Sequence, residues 1–143
     1  MTISKAVANW LKEYDMKPVR IDPDQVGYGA DSLGIFKSPN REVKEHQDES
    51  YQITEYLQLF VVRDSQEVRD REESDEWLEN FTYWVDDKRY SGDFPDLDAH
   101  RKVLDIWMSG TPYMMEARED NTSVYQLSLG IKYLREREVE EKW

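Results

Sequence analysis

The chain has no cysteine among its 143 residues, which excludes disulfides and thiolate chemistry together. No apolar run comes near the roughly 18 residues that a membrane-crossing helix requires. The opening stretch, Met1 to Lys5, lacks the basic region followed by an apolar core that marks a signal peptide. The expectation is a protein kept in a reducing cytoplasm, or one that leaves it inside a particle. Positive charge is scarce as well: 19 Lys and Arg stand against 31 Asp and Glu, a net charge of −12. That argues against a surface that grips nucleic acid, which needs clustered cations to displace counterions. There are two histidines, His46 and His100, and neither has a serine or cysteine nucleophile beside it.

Aromatic residues, by contrast, are plentiful. They make up 13% of the chain, with five Trp and nine Tyr, too many for a disordered acidic tail. Such residues fill cores and also enrich interfaces, and the composition leaves both uses open. The length suits one domain with a single core.

The strongest local pattern runs from Tyr51 to Arg89. Tyr51, Ile53, Glu55, Leu57, Leu59 and Val61 form one face of a period-two strand, and Gln52, Thr54, Tyr56, Gln58, Phe60 and Val62 the other. The strand grows more apolar toward its end, as expected where both sides are covered. A long helix follows, with Ser65 as expected N-cap and Glu67 in the first turn. Trp77, Leu78, Phe81, Trp84 and Val85 recur at helical spacing, while the opposite face is charged. Pairs such as Glu67 and Arg71 at i,i+4 suit a solvated helix.

Elsewhere the signals are shorter. Ser4 to Tyr14 reads as a helix capped by Thr2 or Ser4 and ended by Pro18. Val19–Ile21 and Ser32–Lys37 are strand candidates. Residues 38–50 are polar and carry no period, so they read as a long mobile loop. Ser91-Gly92-Asp93-Phe94-Pro95 stops the long helix. Lys102–Met108 alternates as a strand does, with a helical turn as the alternative. Ser109 to Pro112 breaks it. Tyr113–Arg118 and Thr122–Arg135 then flank a turn at Glu119-Asp120-Asn121. A charged tail follows from about residue 136. The layout predicts one α+β domain over residues 1–143: a single, mostly antiparallel sheet of about four to five strands, packed by an N-terminal helix and one long central helix.

No constellation demands chemistry. Asp93, Asp96, Asp98 and His100 crowd eight residues, but the central glycine and terminal glutamate of a calcium loop are missing. Gly27-Tyr28-Gly29 lacks the Gly-Lys-Ser/Thr of a phosphate loop. Neither a metal nor a cofactor is expected, and no catalytic residue is assigned.

The runs Tyr51 to Phe60 and Trp77 to Trp84, with Val103 to Tyr113 and Tyr125 to Tyr133, resemble the minor capsid or tail-terminator-type proteins of long-tailed phages of Gram-positive bacteria. The likeness covers residues 1–135 in element order and length. It rests on patterns of strand and helix. The weak second strand and the charged tail ending in Trp143 depart from that pattern. The resemblance implies a structural virion protein, assembled in the host cytoplasm, that caps the tail tube as a homo-oligomeric ring, often of six subunits. The ring would join the tail tube protein to the head connector, and DNA would pass through without specific binding. A head-completion stopper, a tube-like subunit or an acidic DNA mimic are the other readings. Subunit or partner contacts are expected at Lys37, Arg41, Val43, Lys44, His46, Tyr113, Met114 and Trp143.

Overall fold

The computed structural model of the chain describes residues 1–14, 20–23, 31–48 and 50–136. In chain order the elements are α1 (Ile3–Leu11), β1 (Arg20–Pro23), β2 (Ser32–Glu45), β3 (Tyr51–Asp64), α2 (Val68–Ser91), β4 (Arg101–Met108), β5 (Tyr113–Ala117) and β6 (Thr122–Arg135). The strands form one sheet in the order β1-β2-β3-β6-β4, with β5 also paired to β6. β4 lies opposite Leu129–Arg135 of β6, and β5 opposite Ser123–Gln126. The two are therefore halves of one edge strand, broken at Ser109–Pro112, and the sheet is five strands wide. All pairings are antiparallel except β1 with β2. This is the α+β architecture that the sequence pattern predicts.

Both helices pack on one face of the sheet. The alternation in β3 and β6 sends Leu57, Leu59, Val61, Leu127, Leu129 and Ile131 into that layer, each nearly inaccessible to solvent. From α2, Trp77 and Phe81 stack at 5.3 Å, and Tyr14 meets both edge-on. The Tyr14 hydroxyl donates to the Trp77 carbonyl at 3.1 Å, and the Trp10 indole donates to the Asp93 carbonyl at 2.9 Å. Burial pushes the Tyr14 phenol up to about 12, with Arg63 opposing weakly. Most of the large aromatics thus serve the core. Tyr83, Tyr90 and Tyr113 stay exposed.

Several boundaries differ from expectation, each for a local reason. The β3–β6 ladder continues to Asp64 and Thr122, and Ser65 then bonds the Asn121 carbonyl through both its N–H and its hydroxyl. Ser65 is thereby used up, and α2 starts after Glu67, whose N–H donates to the Asp70 carboxylate at 3.1 Å. At the other end Gly92, at φ 73°, provides the left-handed stop that the Ser91–Pro95 pattern predicts. Thr2 caps α1 through the Lys5 N–H, and the helix ends at Leu11, short of Tyr14. Pro18, Val19, Gly27 and Gly29 lie outside the described residues, as does the tail from residue 137 onward.

The largest correction concerns residues 38–50. They are not a loop: residues 38–45 continue β2 along β3 as far as Glu45 opposite Tyr51, leaving only a short turn before Ser50. In that turn Asp48 accepts from the Ser50 N–H and hydroxyl, which holds its carboxyl below the usual range. Hydrophobic periodicity was absent because this half of β2 is exposed almost throughout. Its register comes from the ladder with β3 rather than from burial.

Candidate functional site: the two open edges

Among the described residues, the sheet presents two edges that differ in character. On one side β1 covers β2 only from Ser32 to Ile35, and beyond that point β2 has no outer neighbour among the described residues. Between Lys37, opposite Leu57, and Arg41, opposite Glu55, the residues Ser38, Pro39 and Asn40 face Tyr56 alone, a bulge that bends the strand. Beyond it Arg41–Glu45 returns to regular pairing.

What secures this outer half is Glu55. Its carboxylate sits on the helix-side face of β3, only 6% exposed. Lys37 approaches it at 3.4 Å and Arg41 at 3.3 Å, one from each side of the bulge. The Tyr133 hydroxyl donates to it at 3.1 Å. Burial and this neighbouring carboxylate raise the Tyr133 phenol above its ordinary range. A buried carboxylate needs such partners to offset desolvation.

The opposite edge is β5. All five of its residues are exposed, with Tyr113 and Met114 at 53% and Met115 at 45%. Its single irregularity is a bulge at Met115, and it contains no proline, lysine or arginine. The Tyr113 hydroxyl donates to Gln126 and fixes the ring beside β6. Next to it, α2 and the Ser109–Pro112 link frame a cleft of about 380 Å³ lined by Asp75, Leu78, Glu79, Tyr83 and Pro112. Asp75 and Glu79 make the cleft acidic, while Glu116, on the other face of the sheet, lies 4.0 Å from Arg118.

The structure brings Lys37, Arg41, Val43, Lys44 and His46 together on the β2 arm and its turn, and places Tyr113 and Met114 on β5. The two groups occupy opposite corners of one sheet and do not meet. Trp143 lies outside the described residues. Sequence reasoning missed Glu55, Met115 and Tyr83. Glu55 did leave a signal, as the one acidic residue on the apolar face of β3, where Arg63 near the strand end is the other charge. The Asp93–His100 segment is taken up internally: Asp93 pairs with Lys88, and Asp98 with Arg101. Among the described residues no group of three metal-ligating side chains gathers in a geometry for an ion. No described helix is long and apolar enough to cross a membrane.

No protein-family model matches the chain, and no curated protein matches it.

Proposed function

We propose that this chain is a non-catalytic virion protein that assembles head to tail into a ring, terminates the tail tube of a long-tailed phage, and joins it to the head connector. The observation that carries the reading is the pair of unlike open edges at opposite corners of one sheet. Unlike surfaces on opposite sides of a subunit give heterologous contacts, and these close into rings when the rotation closes. The resemblance of the Tyr51–Phe60 and Trp77–Trp84 runs to tail-terminator-type proteins supplies the biological context.

The charge agrees with such a role. With a net charge of −12, and carboxylates along the exposed face of α2, the surface repels a phosphate backbone. A channel for DNA should be of this kind. Light scattering of the purified protein, alone and with the tail tube protein, tests the reading. One discrete ring that binds tube ends supports it. Open-ended polymerisation by the protein alone would instead mark a tube subunit. A strict monomer that engages neither tube nor connector overturns it.

A further inference from the structure

We propose that in the assembled protein the Arg41–Glu45 segment of one copy adds to the outer edge of β5 in the next, so that the sheet runs continuously from subunit to subunit. This rests on the ring reading above and specifies its interface. Strand addition of this kind draws affinity from backbone hydrogen bonds and specificity from alternating side chains.

Strand direction permits it. From β2 to β3, β3 to β6 and β6 to β5, every step is antiparallel, so β5 runs opposite to β2. A rotation that relates neighbouring copies keeps each strand's sense around the ring. The β5 of one copy therefore meets the β2 of the next antiparallel, without a mismatch at the seam.

Side-chain alternation and charge select a register. Pairing through β3 and β6 puts Glu42, Lys44 and Glu116 on the face away from the helices, and Val43 on the helix face. Setting Lys44 opposite Glu116 places Glu42 opposite Arg118 and Val43 opposite Ala117. Both charged pairs are then of opposite sign, the favourable case for cross-strand neighbours. Val43, 53% exposed on its own subunit, then has the small Ala117 as its cross-strand neighbour, and Met115 lies level with Glu45. The alternative of β5 pairing with another β5 would bring two acidic rims together.

The dimensions also agree. Lys44 lies level with Leu134, and Glu116 with Val124, ten residues apart along β6. That is roughly 33 Å along the strands, combined with four strand spacings of about 4.8 Å across them, a diagonal step of roughly 38 Å. A globular domain of this length has a radius of gyration of about 14–15 Å, hence a diameter of roughly 37 Å. Copies so placed touch without overlapping.

The absence of native cysteine allows a clean test by cross-linking the full-length chain. V43C and A117C alter exposed positions and are expected to leave the fold intact, which circular dichroism of each variant checks. The doubly substituted chain should give, on mild oxidation, a ladder of disulfide-linked dimers, trimers and larger species up to the ring. Neither single variant should cross-link alone, but mixing the two should yield a single dimer band. Dimers from A117C alone would show β5 meeting β5 and overturn the proposal. Rings by light scattering with no cross-link would overturn this interface while leaving ring assembly intact, whereas monomers throughout would overturn both. As a second readout, E116K or K44E alone should abolish assembly, and the two together should restore it. Failure of that rescue while the single variants lose assembly counts against the register.

Discussion

The two edges of the sheet meet the same hazard in opposite ways. An unpaired edge offers free backbone groups to any passing strand, and natural sheets blunt such edges with proline, bulges and charge. The exposed half of β2 uses all three between Lys37 and Arg41: Pro39 cannot donate, the bulge breaks the ladder, and two cations flank it. β5 has a single bulge and presents Tyr113, Met114 and Met115 to solvent. One edge is guarded for most of its length, and the other is left apolar beside an acidic cleft. A surface of the second kind marks an interaction site rather than a neglected edge. The contrast also shows that exposure alone is a poor guide to function. Both edges are exposed, and what separates them is chemistry along the strand.

The largest expected effect touches neither edge and so sets the baseline. Burial raises the Tyr14 phenol from 10.0 to about 12. Its neutral form is thus favoured in the folded state, and the associated stability is complete below pH 10 and lost as pH rises through 12. At about 1.4 kcal/mol per unit this amounts to at most about 2.7 kcal/mol. Urea midpoints taken between pH 9 and 12 should fall accordingly, and Tyr14→Phe should flatten that slope. Amides of both edges should then lose exchange protection together.

Glu55→Ala sharpens the contrast from the guarded side. It strips Lys37, Arg41 and Tyr133 of a common acceptor and should cost about 2 kcal/mol, below the figure for a wholly buried pair because both cations are half exposed. Hydrogen exchange should quicken along Arg41–Glu45 while β5 is unchanged. Equal loss at both edges would erase the distinction. Gly130→Ala acts from the other side. Gly130 lies under the indole of Trp107, and an added Cβ would collide with that ring. Displacing Trp107 should cost about 1–2 kcal/mol and loosen β4 before β2. Met115→Lys is expected to change the urea midpoint by less than about 0.5 kcal/mol, as exposed substitutions usually do. It supplies the cation that β5 lacks and should suppress self-association. If assembly survives it, β5 is not the edge in use.

Much of this fold was legible in the residues. The thirteen-residue alternation from Tyr51 to Arg63, the stripe from Trp77 to Val85 and the alternation of Tyr125 to Tyr133 each bury one face, and burial leaves a period that can be read. Asn121, at φ 63°, sits where the turn between β5 and β6 needs a left-handed residue. The outer half of β2 was illegible for the converse reason. Exposed on both faces, it has no period to show, and polar residues with a proline look like a loop. The β4 bulge also hid from pattern: the register slips between Val103 and Asp105, which buries Val103 and Ile106 together and leaves Leu104 40% exposed.

The sequence by itself determined the helices, most of the strands and the acidic, cysteine-free character of the surface, because these follow from local spacing and composition. Only the tertiary structure decided that Lys37 and Arg41 share Glu55, that β4 and β5 are one broken edge, and that the contact residues divide between two corners. Those facts depend on pairing between strands distant in the chain, where the register is set by partners and not by the residues of either strand alone.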